Sequence, residues 1–232
     1  MKPVSLLAAA ALSAQVMAYR IHIVYSSQLV EVGDINLFAA TWEKIYAAPG
    51  NQNAVALTEP GLIGSATNCG KLGDTTVGVS IEGQWGKDPG LGLETSRDAL
   101  VKSLWEFIQV FGDDEAYDVF APCGAQSKGG APRWFFQADC RGQYCGGCCA
   151  ASSCGCQFKK RATKMPAKIK LTMTNNAGTL LPDGITVDFT STKASSNGGC
   201  GVALKVVGAL AGFLPGPGSL FSSGVSAACE AV

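Results

Sequence analysis

Six cysteines crowd into residues 140–156: Cys140, Cys145, Cys148, Cys149, Cys154 and Cys156. No other feature limits the fold as strongly, because thiols at that density are either oxidised to disulfides or hold metal. The residues between them are mostly Gly, Ala and Ser, so the segment has little apolar surface to bury and depends on cross-links that restrict its unfolded state. Cys148 and Cys149 are adjacent, and Cys154 and Cys156 are one residue apart. Neither pair bridges without strain, so most of the cluster must reach other partners. Cys69 and Cys123 stand upstream, and Cys200 and Cys229 complete a set of ten.

The N-terminus decides between oxidation and metal. Lys2, the apolar run 4–12 and the small-residue pattern Val16-Met17-Ala18 fit a secretory signal peptide over residues 1–18, cut after Ala18. The run is too short for a bilayer span, which needs about 20 apolar residues. An exported chain meets oxidising conditions, so an even number of cysteines reads as a disulfide framework. Cys145-Gly-Gly-Cys148 has zinc-ligand spacing, but export predicts oxidation ahead of metal capture. Neither metal nor cofactor is expected. No Asn-x-Ser/Thr sequon occurs, and residues 226–232 lack the apolar tail of a lipid-anchor signal. The expected destination is extracellular.

The formal net charge of zero hides an asymmetry. Residues 19–158 carry nine Lys/Arg against fifteen Asp/Glu, and residues 159–232 carry eight against three. This predicts an acidic disulfide-rich domain over 19–158, a basic linker over 159–168 and a small basic α+β unit over 169–232. Lys160-Arg161, inside Lys159-Lys160-Arg161, fits a kexin-type processing site, and opposite charge would keep the cut halves associated. The same run also reads as a plain solvated linker, or as a patch for anionic lipid or nucleic acid. No aromatic residues interleave with these charges to stack on bases, so nucleic acid is not an expected partner.

Periodicity supplies the elements. Strand spacing marks 20–25, 75–81, 117–121, 133–138, 169–174 and 185–190, with a short apolar run at 54–57. Ile35, Phe38, Ala39, Trp42, Ile45 and Tyr46 share a helical face, with Asp34 as expected cap and Pro49-Gly50 as stop. A second helix, capped by Thr95 or Ser96, carries the stripe Leu100, Val101, Leu104, Phe107, Ile108 and Phe111, and Gly112 is its expected terminator. Residues 201–214 read as a buried helix. Up to residue 121 the order is strand, helix, strand, strand, helix, strand. That is the split-βαβ order of a ferredoxin-like antiparallel sandwich, with both helices on one face of the sheet.

Catalytic motifs do not emerge, and no catalytic residue is assigned. His22, the single histidine, falls within the first strand. The acidic triplet Asp113-Asp114-Glu115 reads as a solvated turn. The glycines of 86–92 lack a Gly-Lys-Ser/Thr ending and read as a loop. Trp85, Trp134, Phe135 and Phe136 are candidates for a binding surface, with at least one of the last three expected in the core.

The signal sequence ending at Ala18, the small size, the cysteine set, the strand–helix order of 20–121 and Lys160-Arg161 together resemble fungal small secreted cysteine-rich proteins. Within them the layout resembles the virally encoded killer toxins of smut fungi and effectors built like them. The resemblance is one of layout, without a residue-level motif. It implies a secreted precursor, kexin-type processing, a ferredoxin-like fold and an extracellular or host protein or cell-surface component as partner. The expected function is that of an interaction protein, effector-like or toxin-like. A carboxylate-dependent secreted hydrolase and a cell-surface carbohydrate-binding protein are the alternatives. A flat exposed row of aromatics would mark the last.

Overall fold

Tyr19, Ile21, Ile23 and Tyr25 alternate with Arg20, His22 and Val24, and the first set is at most 1% exposed. In the computed structural model, which describes residues 18–48, 54–64, 75–122, 157–193, 196–202, 205 and 225–230, this segment is β1 (Tyr19–Ser26). After one residue the chain continues as β2 (Gln28–Gly33). The same happens around Ala167, where β6 (Gln157–Pro166) passes into β7 (Lys168–Asn175). The two bent ribbons run antiparallel: β1 pairs with β7, with Tyr25 opposite Ile169, and β2 pairs with β6, with Leu29 opposite Pro166. At the bend the Ala167 N–H donates to the Gln28 carbonyl at 2.8 Å, and the Ala167 carbonyl accepts from Phe189 N–H at 2.9 Å. Pro166 has no N–H to give to a ladder and suits the corner.

This ribbon joins two sheets. The larger has six strands in the order β10 (Val225–Glu230), β1, β7, β8 (Leu180–Ser191), β4 (Thr75–Gln84) and β3 (Ala54–Gly64). Its β1–β10 pair is parallel and the rest are antiparallel. The smaller sheet has the order β5 (Ala116–Pro122), β6, β2 and β9 (Ser196–Asn197).

The helices fill the inside of the bend. A π-helical turn, Ala39–Glu43, leads directly into α1 (Lys44–Ala47). Asn36 Oδ1 accepts from Ala39 N–H at 3.0 Å, so the helix start is capped by Asn36, two residues after the expected Asp34. The second helix, α2 (Leu93–Asp114), begins at an N-cap Gly92, which places Thr95 and Ser96 inside it. Gly112 does not terminate it. A Cβ there would stand 3.0 Å from Met165 Cε, so the missing side chain is what lets α2 lie close to β6. Leu100, Leu104, Phe107 and Phe111 are at most 1% exposed and share one core with Val77, Val79 and Ile81. The α2 helix lies against β6, β7 and β8, and the Tyr25 ring sits 5.0 Å from Phe107 and 5.6 Å from Phe111.

The α+β class is as expected, but the arrangement differs in three ways. A split-βαβ sheet needs β1 beside β4; here β7 and β8 stand between them, and β5 joins the smaller sheet. Periodicity marks strands and faces but leaves the choice of edge partner to distant residues. Residues 159–168 are not a linker: they are most of β6, the corner and the start of β7. Nor do 19–158 and 169–232 form separate units, because the six-stranded sheet takes β1, β3 and β4 from one side of that boundary and β7, β8 and β10 from the other. The expected strand at 133–138 and most of the expected helix at 201–214 lie outside the described residues; Gly199–Val202 forms a 3-10 turn.

Candidate functional site

One face of the large sheet packs against α2, the π-helical turn and β2 of the smaller sheet. The opposite face is polar by the same alternation that makes the first apolar. Two rows cross it at adjacent levels. One runs Val24, Lys170, Thr186, Glu82, Ala56, and the next His22, Thr172, Gly184, Gln84, Ala54. Gly184 has no side chain to raise the surface, and a Cβ there would lie 2.7 Å from the Leu171 carbonyl oxygen. The result is a shallow groove of about 510 Å³ above Gly184, walled by Glu82, Gln84, Lys170, Thr172 and Pro182. Gln84 Nε2 donates to the Pro182 carbonyl at 2.8 Å, which fixes one wall. Among the described residues neither Lys170 nor Glu82 has an ion-pair partner. The two stand on strands two apart, roughly 10 Å at ordinary strand spacing. The groove therefore offers one cation, one anion, an amide and two threonine hydroxyls on a flat floor.

Directly behind that floor the next residue, Asp183, points into the core and is 1% exposed. Its carboxylate accepts from Gly86 N–H and Lys87 N–H, both at 2.9 Å, and from the Ser96 hydroxyl at 2.5 Å. One buried anion thus ties the loop before α2 and the first turn of α2 to β8. Gly86 adopts φ 68, and a Cβ there would press on Leu93 Cα at 2.8 Å. Tyr19 OH donates to Asp88 Oδ1 in the same loop at 3.5 Å. Burial first, then Asp88, pushes the Tyr19 hydroxyl above its ordinary pKa. The sequence does hold a signal for Asp183: it is the one carboxylate in the inward series Leu181, Asp183, Ile185, Val187, Phe189.

His22 lies in the row of the groove, near the β10 edge. Its Nδ1 is 2.6 Å from Ser226 Oγ and its Nε2 is 2.9 Å from Thr174 Oγ1, so it clasps β10, β1 and β7 together. Partial burial, then the neighbouring Arg20, lowers its pKa below the ordinary value.

Aromatic residues gather on the helical side. Phe38 and Trp42 stack at 5.5 Å, Trp42 and Tyr46 at 5.6 Å, and Trp105 meets Phe38 edge-on at 5.0 Å. Arg97 lies over the Tyr46 ring at 4.5 Å. The Tyr46 hydroxyl donates to Asp98 Oδ1 at 2.6 Å, and burial together with Asp98 pushes its pKa up to about 12. These ring faces cover one another and brace α1 against α2; they are not a flat platform turned to solvent. Trp85 is 1% exposed and belongs to the core, not to a binding surface.

Of the expected disulfide residues, Cys200 and Cys229 are bonded to one another across 29 residues, with Cα atoms 5.3 Å apart, and so join the 3-10 turn to β10. Cys69, Cys123, Cys140, Cys145, Cys148, Cys149, Cys154 and Cys156 lie outside the described residues, as do Trp134, Phe135 and Phe136. Ala18 is buried immediately before β1. Lys160 and Arg161 sit within β6, paired with Val119 and Asp118 of β5. The exposed, flexible backbone expected around this processing site is replaced by a ladder strand. Arg161 Nη2 also reaches Asp113 Oδ1 at 3.3 Å and the Asp113 carbonyl at 3.0 Å, and Lys205 Nζ contacts Asp114 Oδ1. The basic run and the acidic triplet, separate features in the sequence, are neighbours in the fold. Such exposed pairs contribute about 0–1 kcal/mol each.

Among the described residues no three His, Cys, Asp or Glu side chains cluster to hold a metal, and no helix is long and apolar enough to cross a membrane. Comparison of the chain with protein-family models, with curated proteins and with solved structures finds no match.

Proposed function

We propose that this chain is a secreted, disulfide-stabilised interaction protein, effector-like or toxin-like, that engages an extracellular or host cell-surface component through the polar face of its large sheet, which no described element covers. The observation that carries the reading is the contrast between the two faces. One is packed against α2, the π-helical turn and β2 of the smaller sheet, while the other is polar and holds the groove over Gly184 with Lys170 and Glu82 at its walls. Export is supported by the N-terminal apolar run and by the Cys200–Cys229 bridge, a bond that persists in oxidising compartments. A rigid, mixed-charge surface of this kind gains specificity from matching charges and hydroxyls on its partner more than from apolar burial.

The test is binding of labelled mature protein to intact cells of a host or rival. Lys170→Glu and Thr186→Arg alter the groove without touching the core. Both variants should keep the wild-type circular dichroism spectrum and lose cell binding at least tenfold. Wild-type binding that survives both changes, or an absence of binding to any cell tested, would overturn the reading.

A further inference from the structure

The row Val24, Lys170, Thr186, Glu82, Ala56 reads alike from either end: apolar, charge, hydroxyl, charge, apolar. Its two charges are exposed and opposite, and each stands one strand away from Thr186. Neither has an ion-pair partner among the described residues. Half a turn about an axis along β8 lays this row, reversed, against itself. Lys170 then meets Glu82 of a second copy, Glu82 meets Lys170, Thr186 meets Thr186 and Val24 meets Ala56. An arrangement of that kind is self-complementary, as a two-fold interface must be.

We propose that the polar face of the large sheet binds a second copy of the chain, the two sheets stacked across a two-fold axis along β8 and joined by two Lys170–Glu82 ion pairs. This goes beyond the partner reading above: a second copy and a cell-surface component compete for one face, so the dimer is the form in which that face is masked.

The neighbouring rows fit the same turn. One level along, Thr172 meets Gln84 of the second copy, hydroxyl against amide, and Gly184 meets Gly184, where the missing side chains permit close approach. One level the other way, Asp188 falls on the axis opposite its own copy, but Lys168 Nζ lies 3.4 Å from Asp188 Oδ1 within each chain and offsets that charge. Stacked sheets stand about 10 Å apart with their strands within about 30° of each other, a gap that Lys and Glu side chains close when they reach from opposite sides. The five strands span about 19 Å, so the contact lies near or below the lower end of stable interfaces, about 1,200 Å² in total. The dimer is therefore weak and exchanges with monomer, and the charges fix its geometry more than its affinity.

The test is sedimentation equilibrium of the purified full-length chain, disulfides intact, from micromolar to near-millimolar concentration. The mass of the wild-type chain should rise with concentration towards that of a dimer and no further, and added salt should weaken the association. Lys170→Glu and Glu82→Lys each set like charges against one another twice, and each alone should weaken dimerisation at least tenfold. An equimolar mixture of the two variants makes both facing pairs opposite again and should recover the dimer, as should the chain carrying both changes. A wild-type chain that stays monomeric throughout, association that continues beyond two copies, or a dimer that survives in both single variants overturns the proposal. So does a mixture that fails to recover. Cells are absent from this measurement, so the dimer stands or falls independently of the cell-surface reading.

Discussion

A single carboxylate organises the ground beneath the groove. Asp183 is almost fully buried, and three donors from two other elements converge on it. A buried anion is tolerable only when its lone pairs are met, and each donor left unmet costs about 1–3 kcal/mol. Asp183→Ala should therefore destabilise the protein by about 3–5 kcal/mol, read as a lower urea midpoint, and Asp183→Asn should cost less because one acceptor oxygen remains. A loss under 1 kcal/mol for the alanine variant would show that the loop before α2 is held by something else. His22 works at the same scale with less at stake. Its two hydroxyl partners stitch three strands together, and its lowered pKa comes from burial first and Arg20 second.

At the scale of the element, α2 was the most legible part of the sequence. Its stripe has helical spacing and turns out to be buried along its length. Leu104 stands at the middle of that stripe, 1% exposed, so Leu104→Ala should cost about 2–5 kcal/mol by the same urea measurement. A near-neutral result would mean that α2 is not held on the sheet by this stripe. Its ends were less legible. Gly112 looked like a stop and is instead a point of close approach to Met165, and Gly92 takes the cap position expected for Thr95 or Ser96. The strands divide in the same way. β1 and β4 announce themselves by alternation, whereas β6, with Lys159, Lys160, Arg161 and Lys164, reads as a solvated linker. It becomes a strand because β5 and β2 supply ladder partners on its two edges.

Across the whole molecule, the two halves of the sequence are woven into one sheet. It takes three strands from before residue 159 and three from after it, with β1 between β10 and β7 and with β8 beside β4, so an acidic half and a basic half are not separate bodies. The pairing of Arg161 with Asp118, and of the now-buried Ala162 with Tyr117, predicts that the folded chain resists a kexin-type protease at Lys160-Arg161. The check is limited proteolysis: the native protein should stay intact under conditions that cut the urea-unfolded chain after Arg161. Rapid cleavage of the native form would mean that β6 opens easily. Should the chain be cut there before folding is complete, interleaved strands and a shared core, more than the net charges, would hold the pieces together.

The sequence by itself determined the α+β class, the inward and outward faces of β1, β4, β7 and β8, and the buried stripe of α2. These follow from local period, two for strands and near 3.6 for helices, which any stretch of chain carries within itself. It also showed ten cysteines and a short apolar run at residues 4–12. Only the tertiary structure decided the strand order, the bends at Ser27 and Ala167, the bond between Cys200 and Cys229 and the meeting of Asp183 with Ser96, 87 residues apart. Each of these joins residues distant along the chain, and the choice among possible partners rests on which edges and side chains bury one another, a quantity that no local pattern records.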